Sequence, residues 1–392
     1  MKQQMQTNHI EWREIRLKEI AQFINGRAFK PSDWESNGKL IIRIQDLTGS
    51  ITNPNYTTKT FEDKYLVRKG DLLISWSATL DAFIWSKEEG WLNQHIFKVV
   101  PDNKFVDKKY LYYFVKQTIN LFLNETHGST MKHITKGRFE SIKILLPFSN
   151  GKPDLKEQER IVNILEGAEK LNERGKKIEI LFDEYLKSIF YEMFLKEKGK
   201  FKEVSLGEVF EIARGGSPRP IQNYITKEKN GINWIRISDT KNNTKYIYQT
   251  EERIKPEGLK KTRLVQEGDF LLSNSMSFGR PYIMRTKGCI HDGWLVIRDV
   301  NKVTNNDYLY SILSSDYLYS QFLSSVAGTT VKNLKIEVVK KVKIPLPPLP
   351  LQQKFAKIVE QVEKMKESIN KTKQKSEELF NSLVSKGFRG EL

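Results

Sequence analysis

The sequence predicts an α+β protein: two mixed α/β globular bodies joined by two long helices that form an antiparallel coiled coil, with an internal pseudo-twofold repeat. Three observations predict this fold class. Two stretches carry a heptad pattern of apolar residues, each stretch follows a segment of short apolar strands, and the two segments share motifs in the same order. The predicted boundaries are 1–150 for the first body, 151–199 for the first long helix, 200–350 for the second body and 351–392 for the second long helix.

The first heptad pattern runs from Asp154 to Phe194, where apolar residues recur at alternating steps of three and four. Asp154 and Glu157 have the spacing of a helix-capping pair, so the helix should begin there, and residues 198–200 should end it. The spacing predicts a seam formed by Ile161, Ile164, Ala168, Leu171, Gly175, Ile178, Phe182, Tyr185 and Ile189.

The second heptad pattern runs from Gln352 to the end of the chain. Its predicted seam residues are Phe355, Ile358, Val362, Met365, Ile369, Thr372, Ser376, Leu379 and Leu383. Because a narrow apolar stripe must be buried against another helix, the two stretches should pair with each other. At about 1.5 Å per residue such a helix would span roughly 55–60 Å, more than the ~34 Å of one DNA turn. The alternative, in which each helix belongs to the core of its own body, stays open at this point.

The length and composition of the chain limit the classes of protein to which it can belong. A chain of 392 residues is too long for one core and indicates two or more domains. The single cysteine, Cys289, excludes a disulfide framework and a multi-cysteine zinc finger. The sequence contains no apolar run of about 18 residues and no apolar stretch near Met1. We therefore expect a soluble, cytoplasmic protein.

The positive charge is concentrated outside the first long helix. The net charge of +17 divides into +6 for residues 1–150, zero for 151–200, +8 for 201–350 and +3 for 351–392. Two basic bodies joined by a neutral segment suit a polyanion bound in two places. A solvated basic surface without a partner is the alternative.

The two bodies repeat each other in register. The matching segments are 42–46 with 235–239, 70–75 with 268–273, and 128–132 with 328–332, and Ser188 and Phe194 stand where Ser382 and Phe388 stand. The chain is therefore a tandem duplication of one globular body plus one helix.

Each body should contain short strands with helices between them. The predicted strands are Leu40 to Ile44, Asp71 to Trp76, Ile142 to Leu146, Trp234 to Ile237, Asp269 to Ser273 and Val338 to Ile344. The predicted helices are Lys109 to Leu123 and Asp307 to Leu323. Each body closes with proline, at Pro147 in the first and at Pro345, Pro347, Pro348 and Pro350 in the second.

The order of motifs in the second half resembles a known family. The motifs are Gly215-Gly216-Ser217-Pro218, Trp234-Ile235 with Asp239, Gly268-Asp269, Gly328-Thr329, Pro345-Leu346-Pro347-Pro348 and the closing Gly387-Phe388-Arg389-Gly390-Glu391-Leu392. In this order, and followed by the long helices, they are similar to the specificity subunit of type I restriction-modification systems. The first half carries Asn25-Gly26-Arg27-Ala28-Phe29 instead of the Gly-Gly-Ser-Pro run, which looks like a different subtype of recognition domain.

The resemblance implies a function and a set of partners. Such a subunit recognises DNA and is not an enzyme, so the two bodies would be target recognition domains for double-stranded DNA. It would dock two adenine methyltransferase subunits, and S-adenosylmethionine would be bound by those subunits, with no cofactor on this chain. Whether restriction or translocase subunits also dock is left open. Two different subtypes imply a bipartite, asymmetric target.

Base and phosphate contacts need cationic, amide or hydroxyl side chains at a DNA groove. The candidates are Arg43, Gln45, Ser75, Ser77, Ser129, Thr130 and Lys132 in the first half, and Arg214, Arg219, Arg236, Ser238, Asn274, Ser275, Thr329, Thr330 and Lys332 in the second. The runs at 128–133 and 328–333 have the composition of a phosphate-contacting loop. A solvated turn or a structural hydrogen bond is the alternative for each. His95 and His291 align, and we expect both to be structural.

Catalytic motifs are incomplete in this sequence. Asn53-Pro54-Asn55-Tyr56 lacks the second proline of an adenine methyltransferase motif, and we expect a turn there. No GxxxxGK[ST] phosphate loop occurs. Asp102 and Asp107 stand too close together for a metal-dependent nuclease site. We therefore predict no catalytic residue and no metal ligand; the competing function is a non-enzymatic coiled-coil scaffold or an RNA-binding regulator.

Overall fold

The structure, a computed structural model, describes residues 10–50, 53–77, 79–125, 135–240, 244–275, 278–326 and 334–392. The chain divides into two compact units. The first unit contains the chain up to Lys176 together with residues 370–392, and the second contains residues 177–369. Each unit therefore holds one globular body and a part of both long helices.

The described part of the first unit combines three small sheets with helices. Its strands are β1 (Glu11–Arg16), β2 (Ala21–Asn25), β3 (Lys39–Ile42), β4 (Tyr56–Thr57), β5 (Leu66–Val67), β6 (Leu72–Ser75), β7 (Asp81–Ile84), β8 (Gly90–Leu92), β9 (Ile96–Pro101), β10 (Lys143–Ser149) and β11 (Lys152–Pro153). Its helices are α1 (Leu17–Ile20), α2 (Ile44–Thr48), α3 (Lys108–Glu125), α4 (Lys136–Ser141) and the first part of α5 (Leu155–Phe190). The strand orders are β1-β10-β11, β2-β9-β6-β7 and β4-β3-β8-β5, and β3 and β8 run parallel.

The second unit repeats this arrangement. Its strands are β12 (Glu203–Ser205), β13 (Glu211–Arg214), β14 (Ile225–Thr226), β15 (Ile232–Ile235), β16 (Tyr246–Ile247), β17 (Glu252–Ile254), β18 (Arg263–Val265), β19 (Phe270–Ser273), β20 (Pro281–Met284), β21 (Gly288–Ile290), β22 (Trp294–Arg298) and β23 (Lys343–Pro345). Its helices are α6 (Leu206–Val209), α7 (Asn306–Leu313), α8 (Asp316–Val326), α9 (Ile336–Lys341) and the first part of α10 (Leu349–Gly387). The strand orders are β12-β23, β13-β22-β19-β20-β16 and β14-β17-β15-β21-β18.

The two units share their central pairings, which confirms the predicted repeat. The order β2-β9-β6-β7 in the first unit corresponds to β13-β22-β19-β20 in the second. The parallel pair β3 and β8 likewise corresponds to the parallel pair β15 and β21. The predicted α+β fold class is therefore confirmed.

Several predicted elements end differently because polar side chains close turns. The strands predicted to reach Ile44 and Ile237 stop at the ends of β3 and β15. Asp46 accepts a hydrogen bond from the Arg43 backbone N–H (2.9 Å), and Asp239 accepts one from the Arg236 N–H (2.7 Å), so each carboxylate caps a helical turn. Most of the strand predicted at 338–344 is instead α9.

The single helix predicted at 307–323 is two helices, α7 and α8. The Ser315 hydroxyl accepts a hydrogen bond from the Leu318 N–H (3.2 Å) at the start of α8. A serine that caps a new N-terminus favours a break between helices over a continuous helix.

An aromatic residue near the end of each long helical segment packs into the body of its own unit. In the first unit the Phe388 ring lies 5.0 Å from Tyr110 and 5.3 Å from Phe114. In the second unit the Phe194 ring lies 5.0 Å from Tyr308. Both phenylalanines are buried, which agrees with their equivalence in the repeat.

A buried glutamine joins the start of each long helix to its own body. Gln158 Oε1 accepts a hydrogen bond from the Asp107 N–H (2.8 Å), and Gln352 Oε1 accepts one from the Asn305 N–H (2.7 Å). In both cases the side-chain amide also donates to a carbonyl two residues before that N–H. The loop before α3 or α7 is thereby fixed to the helix that follows the body.

The long helices pair antiparallel within each unit. In the first unit Ile161 lies against Gly387, and Gly175 faces Lys373. In the second unit the Phe190 ring lies 5.3 Å from Phe355. The observed seam consists of buried and half-buried residues, which are Ile161, Leu165, Ala168, Asn172, Gly175, Glu179, Phe182, Leu186 and Ile189 on α5, and Phe355, Val359, Val362, Lys366, Ile369, Lys373, Ser376, Phe380 and Leu383 on α10.

Eight of the eighteen predicted seam positions lie one residue before a position of the observed seam. Ile161, Phe182, Ile189, Phe355, Val362, Ile369 and Leu383 lie on it, and Ile164 and Ile358 are half-buried beside it. The prediction also placed Leu171, Ile178, Met365 and Leu379 on the seam, whereas they are 55%, 37%, 45% and 52% exposed. In the observed register, polar residues lie on the seam at these places. Lys366 is one of them, and its Nζ pairs with Asp183 at 2.6 Å. A long side chain can cover the seam with its methylene groups while its charge is paired.

Candidate nucleic-acid interface

Four segments of the first unit meet at one edge, which we call the first loop edge: residues 25–27, 42–46, 76–77 and 93–95. The Gly26 N–H donates to Ile96 O (3.1 Å), and the Trp76 N–H donates to His95 O (3.2 Å). The Asn93 N–H donates to Ile42 O (3.2 Å). Backbone hydrogen bonds alone therefore place the end of β3 beside three turns.

The second loop edge consists of residues 214–219, 235–239, 274–275 and 291–293, and it has the same backbone bonds. The Gly215 N–H donates to Trp294 O (3.0 Å), the Asn274 N–H to Gly293 O (2.9 Å), and the His291 N–H to Ile235 O (3.3 Å). His291 thus corresponds to Asn93, and His95 corresponds to Gly293. The predicted alignment of His95 with His291 is wrong, because these bonds set a different register.

A glycine is required where the first turn of each edge meets the β8–β9 or β21–β22 turn. A Cβ on Gly26 would lie 2.0 Å from Asn93 O, and a Cβ on Gly215 would lie 2.2 Å from His291 O. No side chain fits at either position. This close approach explains why Asn25-Gly26 and Gly215-Gly216 occupy matching places in the repeat.

Arg43 and Arg236 occupy equivalent positions at the two edges. Each directly follows the last residue of a strand and stands three residues before the capping aspartate. The Arg43 guanidinium donates to Asn53 O (3.3 Å), whereas the Arg236 guanidinium pairs with Glu252 at 3.1 Å. Gln45 is exposed on α2, and Ser238 is half-buried in the corresponding 3-10 turn.

Three of the predicted DNA-binding residues, Ser75, Ser77 and Asn274, are buried, and the side chains of Ser75 and Asn274 are hydrogen-bonded within the fold. The Ser75 hydroxyl donates to Thr79 O and accepts from the Asp81 N–H (3.1 Å), which closes the turn between β6 and β7. Ser77 is also buried. The Ser75 hydroxyl therefore holds the turn that leads into the first loop edge, and the role of both serines in binding DNA stays a prediction.

Asn274 is the third buried candidate. Its Nδ2 donates to Asp292 O (2.9 Å), and its carbonyl accepts from the Leu334 N–H (2.9 Å). Ser275, beside it, is half-buried. The candidates Ser129, Thr130, Lys132, Thr329, Thr330 and Lys332 lie outside the described residues. The hydrogen bond of Leu334 brings the segment that follows 327–333 to the second loop edge.

Arg214 and Arg219 are exposed at the second loop edge, and both contact Asp292, a residue that no sequence motif indicated. The Arg214 Nε donates to Asp292 O (2.9 Å), and the Arg219 Nη2 lies 3.6 Å from Asp292 Oδ2. The Asp292-Gly293 pair, typical of a tight turn, was the available sequence signal. Asp292 therefore joins two predicted DNA-binding residues that are distant from it in sequence.

The charges at the second loop edge are set by burial and hydrogen bonding. The Ser217 hydroxyl lowers the pKa of the Asp292 carboxyl, which is charged at neutral pH. Burial lowers the pKa of His291, so that its imidazole is neutral at the same pH. At the first loop edge Arg27 stacks on Phe61, with the guanidinium carbon 4.5 Å from the ring centroid.

Cys289 lies in β21, two residues before His291. Its side chain is buried, and burial raises the pKa of the thiol to about 11. The thiol is therefore protonated at neutral pH and packs as a small core residue beside Trp234 and Ile254.

The family model described as the type I restriction modification DNA specificity domain matches residues 9–181 and 198–379. The chain belongs to this family. The two matched segments correspond to the two halves of the repeat, so the chain carries two DNA specificity domains. The first loop edge lies in the first specificity domain and the second loop edge in the second.

Similar proteins agree with this assignment. The type I restriction enzyme MjaVIII specificity subunit of Methanocaldococcus jannaschii is 25% identical over 93% of this chain and 91% of its own length. The type I restriction enzyme EcoBI specificity subunit of Escherichia coli is 24% identical over 98% of this chain and 87% of its length. A solved chain from a study of complex assembly and conformational transition of the type I R-M system has a TM-score of 0.60 at 20% identity, covering 97% of this chain and 98% of that one.

Within the described residues, each helix is too short or too polar to cross a membrane. The segment Asn53 to Tyr56, weighed above as a methyltransferase-like motif, leads into β4. The Asn55 carbonyl accepts a hydrogen bond from the Ile41 N–H (2.8 Å), and Tyr56 pairs with Leu40. This segment therefore contributes backbone bonds to a sheet.

Proposed function

We propose that the chain reads a DNA target of two different short blocks, one at each loop edge. The observation that carries this proposal is that the two edges share backbone bonds but differ in side chains. Asn93 and Gln94 of the first edge stand where His291 and Asp292 stand in the second. Amide and carboxylate groups prefer different bases in the major groove, so the two edges should select different sequences.

We expect the chain to recognise DNA and to catalyse no reaction itself. Arginine at a groove reads guanine with two hydrogen bonds or contacts phosphate, and we assign one of these roles to Arg43 and Arg236. Methylation would come from adenine methyltransferase subunits that carry S-adenosylmethionine. Restriction subunits would join the same complex where the system encodes them.

Exposed apolar residues on the long helices support docking of two methyltransferase subunits. Leu171 of α5 and Met365 of α10 occupy equivalent positions in the repeat, as do Tyr185 and Leu379. All four are at least 45% exposed, and exposed apolar patches, unlike single apolar residues, mark surfaces that contact a partner. Because the repeat presents them once on each helix, it offers two similar docking surfaces.

The continuous helices support a role in setting the gap between the two blocks. Inserting four residues into both α5 and α10 should add about 6 Å at 1.5 Å per residue, close to two base pairs of about 3.4 Å each. The gap between the blocks should widen accordingly. An unchanged gap in an active complex would contradict this role.

The decisive experiment is to co-express the chain with the adenine methyltransferase encoded beside it and to map methyladenine across the host DNA. We expect one asymmetric motif of two short blocks with a fixed gap, absent when the chain is omitted. Replacing Arg214, Ser217 and Arg219 together with alanine, which leaves Gly215 and Gly216 in place, should change or abolish one block only. The proposal fails if the motif persists without the chain, or if a stable complex methylates without sequence preference.

A further inference from the structure

Asp292 connects three segments of the second loop edge. Its backbone carbonyl accepts from the Arg214 Nε and the Asn274 Nδ2, both at 2.9 Å. Its Oδ1 accepts from the Ser217 hydroxyl at 2.7 Å, and its Oδ2 faces the Arg219 guanidinium at 3.6 Å. One turn residue thus orders the segment 214–219 and neutralises a cation at its end.

The contact with Arg219 is the weakest of these. The Arg219 side chain is 80% exposed, and an ion pair in solvent contributes little stability. A DNA phosphate could therefore replace the carboxylate as the partner of the guanidinium at small cost. The Ser217 hydrogen bond is shorter and should keep Asp292 in place after that exchange.

The first loop edge lacks this arrangement. Gln94 occupies the position of Asp292, is exposed and carries no charge. Its Nε2 lies 3.3 Å from the neighbouring His95 ring nitrogen instead of bonding to the turn after β2. The comparison shows that the shared fold does not need an acid at this position.

We propose that Asp292 is a positioning residue of the second specificity domain, which orders residues 214–219 and keeps Arg219 paired until a DNA phosphate takes its place. This inference rests on the proposed function. The pairing reduces the attraction of the second loop edge for DNA in general, because a phosphate must first displace the carboxylate. Asp292 thereby limits binding to sequences that offer compensating contacts.

The test is Asp292→Asn in the full chain. The amide oxygen can still accept from Ser217, so the substitution removes the charge and keeps the turn. Binding of a fluorescein-labelled duplex of random sequence is measured by anisotropy over a series of NaCl concentrations. We expect binding about two- to fivefold tighter, as for the loss of one exposed ion pair, and a log–log salt slope steeper by about 0.9, as for one added phosphate contact.

Two further variants make the test specific. In an Arg219→Ala background, Asp292→Asn should give no gain, because the cation it would release is absent. Glu267→Gln is the matched control, because Glu267 pairs with Arg285 at the same 3.6 Å. Glu267 lies in the turn that precedes β19, at the opposite end of that strand from Asn274 of the second loop edge. It changes the net charge equally and should leave the salt slope unchanged. Circular dichroism verifies folding, and Asp292→Ser is a second neutral variant that should also tighten binding.

The outcomes separate this inference from the proposed function. If the unmodified chain shows no salt-dependent binding to the random duplex, this inference fails, whereas the proposed function fails only if the methyladenine map shows no motif that depends on the chain. If the unmodified chain binds and Asp292→Asn binds equally or more weakly, this inference alone is overturned. An equal gain with and without Arg219 would also overturn it, since Asp292 would then act only by repelling phosphate.

Discussion

The aspartate of the Gly268-Asp269 motif forms a largely enclosed ion pair at the start of β19. Asp269 is buried, and both of its carboxylate oxygens accept from the Arg298 guanidinium, at 2.9 and 2.8 Å. The carboxylate also accepts from the Gln266 N–H at 3.0 Å. Replacing Asp269 with alanine would leave the guanidinium without its carboxylate and one turn N–H without its acceptor.

The size of the effect follows from burial. Breaking a buried ion pair by removing one partner costs roughly 3–5 kcal/mol. The Arg298 side chain is 27% exposed and can recover part of its hydration, so we expect the lower end, a loss of about 3 kcal/mol. In the first unit Asp71 is the counterpart, 24% exposed and 3.4 Å from the Lys98 Nζ, which also donates to Leu66 O. Asp71→Ala should cost about half as much, because Asp71 makes one longer contact with Lys98, whereas Asp269 shares two short hydrogen bonds with Arg298.

Hydrogen–deuterium exchange followed by mass spectrometry measures the two units separately, because peptides from residues 263–298 and 66–101 report on each. Asp269→Ala should speed exchange in the second unit and leave the first unchanged, and Asp71→Ala should do the reverse with a smaller effect. Urea unfolding gives the corresponding free energies. Equal losses for the two variants would refute the reasoning from the number and length of the contacts, and exchange that rises in both units together would refute the assignment of each pair to its own unit.

Three further predictions concern the site and the helices. If Arg236 contacts a base, Arg236→Ala should weaken DNA binding by roughly 1–3 kcal/mol and relax one position of one block. Methyladenine mapping measures this change. Uniform weakening across all sequences would instead identify a phosphate contact. Gln352→Ala should reduce the free energy of unfolding by about 1–3 kcal/mol and increase hydrogen exchange only in the loop before α7. Gln158→Ala should have the same effect on the loop before α3. Exchange that rises along both long helices would contradict a local role for the two glutamines. Leu171→Glu and Met365→Glu should each weaken binding of one methyltransferase subunit by at least about tenfold, as measured by light scattering, and leave DNA affinity unchanged. If two subunits still bind at the same concentrations, these residues are not part of the docking surface.

The fold class and the repeat could be predicted because they depend on patterns that extend over many residues. The heptad spacing indicated both long helices, and the order of motifs indicated the duplication. The register of the seam could not be predicted as well. Lys366 and Lys373 occupy seam positions, and hydropathy alone assigns such residues to the surface. Apolar Leu171 and Met365 were assigned to the seam for the same reason.

The loop edges were predictable as regions but not residue by residue. Arg43 and Arg236 were identified from the repeat, and the structure places both at an edge. Ser75 was also identified, but its hydroxyl closes a turn, since a small polar residue after a strand suits either role equally well. Asp292 was missed because its partners come from segments that only the folded chain brings together.

The first unit is built from both the earliest and the latest parts of the chain, and this has a consequence for synthesis on the ribosome. Residues 177–369 are contiguous and can complete their core once they have emerged. The first unit must wait for residues 370–392, which bring Phe388 onto Tyr110 and Phe114. The body that is made first is therefore the one that finishes folding last. Until then it presents an uncovered aromatic surface in the cell, where a chaperone could bind.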